Sequence, residues 1–194
     1  MSVIVAFKHN NIVYMGADTI RSFDGFKIRL EEEANMKIKK YPNDILVGFT
    51  GGVRTAQRIR GNEALFTIPN GALTKEYLVK NTVPALLQFL ETQDLIKTDE
   101  EEGEKEMDCD MVIAANGKLF EVFRDFSVTE VNRFIAIGSG NLYTIPYLSA
   151  IDTEKDIKAQ LIDALRSAEK YDEGVGSPFA LIDSESLKFE IRED

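Results

Sequence analysis

The sequence predicts an α+β fold in which two antiparallel sheets pack face to face and helices lie outside them. Two observations carry this. The candidate elements come in segregated runs (strands, two helices, strands, two helices, strands), which favours layered α+β over alternating βαβ units. The candidate strands are apolar on both faces, whereas the candidate helices are apolar along one stripe, so the strands belong inside and the helices outside. No internal repeat and no Pro-, Gly- or Ser-rich linker divides the 194 residues, so residues 1–194 read as a single domain. A chain of this length buries roughly 70% of its unfolded surface.

The chain opens on two apolar runs, Val3 to Phe7 and Ile12 to Met15, separated by Lys8-His9-Asn10-Asn11, a pattern that predicts a β-hairpin of buried strands. The N-terminus is therefore expected in the core, where chain ends seldom lie. Thr19 to Glu33 is polar and mixed, with a turn signal at Asp24-Gly25. Alternation from Asn35 to Lys39 predicts a strand, as does Asp44 to Thr50 after a Pro42-Asn43 turn. Val53 to Arg60 predicts a basic helix. Thr74 to Leu95 predicts a longer one, capped by Thr74, kinked by Pro84, and turning Val79, Val83, Leu86, Leu87 and Leu90 to the core. The acidic stretch within Thr98 to Asp108 reads as a solvated loop. Asn116-Gly117 between Met111–Ala115 and Leu119–Phe123 is the strongest local hairpin signal in the chain. Arg133 to Ile137 predicts another strand, Asn141 to Ile151 and Thr153 to Tyr171 two helices, and Phe179–Asp183 with Leu187–Ile191 a closing hairpin.

Composition excludes several classes of function. The formal charge of −10 argues against a nucleic-acid-binding face. The longest apolar runs fall far short of the roughly 20 residues that span a bilayer, and no signal peptide is expected, because the start of the chain lacks a basic region and its apolar run is broken by Lys8 and His9. Cys109 is the only cysteine, so no internal disulfide forms, and a reducing, cytoplasmic setting fits. His9 is the only histidine, which makes a histidine-dependent triad improbable and leaves Cys109 without an obvious partner base.

Four segments together resemble the proteasome β-subunit family and its HslV-type peptidases: Ser2-Val3-Ile4-Val5-Ala6-Phe7-Lys8, Met15-Gly16-Ala17-Asp18, Gly48-Phe49-Thr50-Gly51-Gly52, and Ile135-Ala136-Ile137-Gly138-Ser139-Gly140. Lys37 stands at the spacing that family keeps between its acidic residue and its lysine, and the resemblance runs from Ser2 to about Ile191. It implies a four-layer αββα sandwich and an N-terminal-nucleophile (Ntn) hydrolase, in which the first mature residue supplies both hydroxyl nucleophile and α-amine base. An α-amine titrates near pH 8, so a useful fraction is neutral at physiological pH. Carried over, the resemblance assigns Ser2 as nucleophile, Asp18 and Lys37 as the charged pair that lowers the pKa values of hydroxyl and amine, Gly48 as the backbone oxyanion donor, and Ser139 with Asp172 as an outer pair that orders the nucleophile and its water. It calls for no cofactor and no metal. It implies a peptide or unfolded-protein substrate, a homo-oligomeric ring and room for an ATP-dependent unfoldase partner.

The chain departs from the family in three places. Serine replaces the usual threonine, which removes the methyl that fixes the rotamer. Val175 stands where many proteasome subunits carry serine, and Thr19 to Glu33 does not follow the family pattern. There is no long propeptide, so Met1 must be removed to free the amine of Ser2. Read without the resemblance, Asp18 and Lys37 also fit a structural ion pair, Ser139 a helix cap and Asp172 a solvated helix end. A catalytically silent scaffold or binding protein and a small-molecule Ntn amidase remain the alternatives to a peptidase.

Overall fold

In the computed structural model, which describes residues 2–23, 26–68, 73–98 and 103–193, the opening hairpin forms as the sequence predicts. Strands β1 (Ile4–His9) and β2 (Ile12–Asp18) pair antiparallel across Asn10 and Asn11. Both asparagines take positive φ, 48° and 63°, as a two-residue type I′ turn demands. The polar stretch beyond, where composition signals only a turn, forms a second hairpin of β3 (Ile20–Phe23) and β4 (Phe26–Arg29). The expected Asp24-Gly25 turn lies outside the described residues, as do Met1 and Glu100-Glu101-Glu102 of the acidic stretch.

Strand β5 (Ile38–Tyr41) starts later than the alternation from Asn35 predicts, because Glu33–Asn35 form a 3₁₀ turn. The bond from Phe49 N–H to the Lys37 carbonyl, at 2.9 Å, closes the ladder at that end. Strand β6 (Ile45–Gly51) leads directly into helix α1 (Val53–Gly61). The long helix is broken in three: α2 (Lys75–Tyr77), a π turn over Leu78–Thr82, and α3 (Val83–Thr92). Thr74 caps it as expected, its Oγ accepting from Tyr77 N–H at 3.1 Å. Pro84 has no N–H for the carbonyl four residues back, and Val83 N–H reaches instead to Leu78, five back. The wider turn rotates the core stripe. Leu78, Thr82, Leu86 and Leu90 are buried, and Val79, expected inside, is 47% exposed.

Short strands β7 (Ile96–Thr98) and β8 (Lys105–Met107) pair at the two ends of the acidic stretch expected to be all loop. Strands β9 (Cys109–Ala115) and β10 (Lys118–Val122) turn on Asn116-Gly117, both at positive φ. Four residues give β11 (Val128–Val131), too short a pattern to signal itself, and β12 (Phe134–Ile137) follows. Helix α4 (Asn141–Ser149) precedes α5 (Ile157–Tyr171), which starts at Ile157 and not Thr153. Asp156 sets that start: its carboxylate accepts from the N–H groups of Lys158 at 2.9 Å and Ala159 at 3.3 Å. Strands β13 (Phe179–Asp183) and β14 (Glu190–Arg192) form the closing hairpin.

Two five-stranded sheets result, ordered β12-β1-β2-β13-β14 and β11-β10-β9-β6-β5, with every pairing antiparallel. Three buried apolar clusters accompany them. One lies between the sheets, where Ile4, Ala6 and Met15 meet Ile38, Leu46 and Val112. A second joins the other face of β1 and β13 (Val5, Phe7, Phe179) to Leu148 of α4 and Leu161 and Leu165 of α5. The third joins the other face of β6 and β9 (Val47, Phe49, Met111) to Ile59 of α1 and Leu86 and Leu90 of α3. Each fully buried Val, Leu, Ile, Phe or Met contributes about 1.5–3 kcal/mol, so the N-terminal strand, buried on both faces, is among the most firmly held parts of the chain. Among the described residues no helix is long and apolar enough to cross a membrane.

Candidate active site

The site forms where the two sheets end together. Strand β2 finishes at Asp18, which is fully buried, and its carboxylate collects three donors. Oδ1 accepts from Val3 N–H at 2.9 Å and from the Lys37 ammonium at 2.6 Å, and Oδ2 accepts from Ile20 N–H at 3.3 Å. Lys37, just outside β5 on the other sheet, has only 11% of its side chain exposed. The ion pair therefore ties the two sheets together at one end. Burial pushes the Asp18 carboxyl up and the Lys37 ammonium down from their ordinary values, while their mutual attraction opposes both shifts. The charge of Asp172 also acts on Lys37, in the direction of holding its proton.

Ser2 sits beside this pair. Its carbonyl accepts from Gly140 N–H and from the Ser139 hydroxyl, both at 3.3 Å, and its nitrogen donates to Ser139 Oγ at 3.1 Å. This close approach requires glycine at 138. Gly138 has a φ of 92°, and a Cβ there would collide with the Ser2 carbonyl oxygen. A cleft of about 160 Å³ opens in front of Ser2 and Lys37. Apolar walls come from Ile20, Met36, Phe49, Val53 and Ala56, and Thr50 and Gly51 border it at the end of β6.

No family model and no curated protein matches the chain. Solved structures do. BPH of Thiobacillus denitrificans in complex with epoxomicin is 18% identical with a TM-score of 0.76, over 93% of this chain and 97% of that one. Anbu from Yersinia bercovieri is 13% identical with a TM-score of 0.68, over 97% and 86%. Eukaryotic HslV from Trypanosoma brucei is 16% identical with a TM-score of 0.61, over 93% and 98%. The fold is the proteasome-like Ntn-hydrolase fold.

Within this fold Ser2, Asp18 and Lys37 come together, and Ser139 joins them through the backbone of Ser2. Two expected placements differ. Gly48 is not at the cleft. It lies in the middle of β6 facing the other sheet, where a Cβ would meet Ile4 Cδ1 at 2.9 Å and Met15 Cε at 3.2 Å, so it serves the contact between sheets. The glycine at the cleft is Gly51, three residues on. Phe49 N–H points to β5, and two residues further the N–H of Gly51 faces the same side, beyond the point where β5 begins. Ser139 and Asp172, expected as an outer pair, make no hydrogen bond to each other among the described residues. Ser139 is engaged with Ser2, and Asp172 at the end of α5 accepts from Gly174 N–H at 2.8 Å, its Oδ2 buried without a partner among the described residues. Period-two alternation along β6 separates the inward-facing Gly48 from Gly51, but that the strand end at Thr50 and Gly51 opens to a cleft is visible only in the fold.

Proposed function

We propose that this chain is a peptidase subunit whose nucleophile is the Ser2 hydroxyl and whose base is the α-amine of Ser2, freed by removal of Met1. The observation that carries this reading is the meeting of Ser2 and the buried Asp18–Lys37 pair at the mouth of an apolar-walled cleft. The neutral amine takes the hydroxyl proton as the oxygen attacks an amide carbonyl. The oxyanion that forms is held by the N–H of Gly51, the C–N bond breaks as the leaving amine takes the proton, and water then hydrolyses the ester left on Ser2. The cationic Lys37 favours the neutral amine and the developing alkoxide. The Ser139 hydroxyl, already bonded to the Ser2 nitrogen, keeps the amine aimed.

Three further features fit. The three apolar clusters support the four-layer αββα order of helices, sheet, sheet, helices in one domain. Exposed Leu142, Tyr143, Ile145 and Tyr147 on α4 and Tyr171 on α5 supply apolar surface for a homo-oligomer, which we propose to be a ring enclosing the nucleophiles and fed with extended chains by an ATP-dependent unfoldase. The buried thiol of Cys109 suits a reducing cytoplasm.

The test compares chains beginning at Ser2, chains retaining Met1, and Ser2→Ala on a panel of fluorogenic peptides. Only the first should hydrolyse them. Equal turnover by Met1-retaining chains would end this mechanism, and complete Met1 retention in protein from the native host would favour a silent scaffold.

A further inference from the structure

Lys37 is held at its carbonyl by the Phe49 N–H and at its ammonium by Asp18, but the chain before it has no ladder to hold it. It precedes β5, and residues 31–35 before it are exposed and make no strand pairing. What holds this stretch is Arg60, in the last turn of α1. Its Nη1 donates to the Met36 carbonyl and its Nη2 to the Ala34 carbonyl at 2.9 Å, and the guanidinium lies 5.9 Å from the centre of the Phe49 ring. The backbone carbonyl of Arg60 in turn accepts from Lys39 Nζ at 2.8 Å and Tyr41 OH at 3.3 Å. One residue of α1 thus grips the chain on both sides of Lys37. Arg60 also borders both the cleft and a neighbouring groove of about 510 Å³ that runs past Lys40 and Phe189, so its side chain is part of the wall between them.

We infer that Arg60 is a positioning residue: it latches Ala34–Met36 to α1, sets where Lys37 meets Asp18, and closes the far end of the cleft. A planar fork of donors suits this task, because it can hold two carbonyls in one fixed geometry. A lysine ammonium is a flexible point charge and cannot. The consequence for rate rests on the function proposed above, whereas the consequence for Lys37 itself does not.

The test uses the whole chain beginning at Ser2, with Arg60→Lys and Arg60→Met, each first shown to be folded by urea titration. Should Arg60→Met fail to fold, Arg60→Lys, which keeps the charge and loses the fork, carries the comparison. The first readout needs no activity: the NMR titration of the Lys37 side chain should move upward by at least half a pH unit as the unlatched ammonium gains water. The second is kinetic: kcat on a small peptide should fall at least tenfold with KM changed less than threefold, and the acid limb of the pH–rate profile should move to higher pH. In Arg60→Ala, millimolar guanidinium should restore part of the lost kcat. An unmoved Lys37 titration in folded variants overturns the proposal. If the wild type hydrolyses no peptide, the proposed function fails while the titration still decides the role of Arg60.

Discussion

Asp18 and Lys37 meet from different sheets, so losing either should be felt by the fold and, under the proposed function, by the chemistry as well. Lys37→Ala should abolish peptide hydrolysis, since no cation then lowers the pKa values of the Ser2 groups. It should also cost about 1–3 kcal/mol of stability, because it removes the strongest donor of a buried carboxylate. Residual two-state unfolding with no turnover is the expected pair of results, and full activity would mean that the site is misassigned. Gly48 makes the opposite prediction. Gly48→Ala should cost about 1–3 kcal/mol through crowding of Ile4 and Met15, yet the folded variant should keep its kcat, measured below the melting transition. The contrast shows what was legible. Ser2, Asp18 and Lys37 are candidates for what their side chains can do, and candidates of that kind can be named from sequence. An oxyanion donor is a backbone group, which any residue possesses, so only the exit of β6 into the cleft distinguishes Gly51 from Gly48. Arg60 was not legible either, because its partners are carbonyls that leave no mark on residue type.

Among the elements, those with turn chemistry of their own could be read in advance. Asn10-Asn11 and Asn116-Gly117 announce their hairpins because asparagine and glycine tolerate positive φ. Where a distant partner decides, the sequence is mute. The β3–β4 hairpin sits in a polar stretch, and the alternation of Phe26, Ile28 and Leu30 marks no buried face, since Phe26 and Ile28 are exposed; the π turn before Pro84 shifts which residues of the long helix face inward. Helix α5 begins where its cap stands, so Asp156→Ala should cost about 1 kcal/mol and fray the first turn, measurable by urea midpoint and by amide exchange at Lys158 and Ala159. The other side of α5 is tied to the closing hairpin by Lys158, which bonds Asp183 at 2.7 Å and also reaches Glu190. Burial alone would raise the Asp183 carboxyl, but Lys158 and the Ser186 N–H and hydroxyl hold it down to about 2. A carboxyl depressed in the folded state adds stability that is fully present above its ordinary pKa and lost as pH falls from about 4 to about 2. Allowing for solvent screening, Asp183→Asn should lose about 1 kcal/mol at pH 7 and nearly nothing at pH 2. Equal losses at both pH values would exclude this linkage.

At the scale of the whole molecule, segregated runs of strands and helices were enough to foresee two antiparallel sheets with helices outside. The surface was harder to foresee, because the exposed apolar residues of α4 are spaced like core residues. Leu142 is 74% exposed, and Leu142→Glu should shift the light-scattering mass toward monomer if α4 is an assembly surface; an unchanged mass would place the interface elsewhere. The burial of the first strand has a bearing on timing. Val3 to Ala6 are wholly inaccessible and β1 is flanked by β12 and β2, so we expect trimming of the residue that precedes Ser2 to be easier before β1 is laid down than after. Methionine aminopeptidase added to folded, Met1-retaining protein should leave its mass unchanged, and the same enzyme present during refolding should remove one methionine.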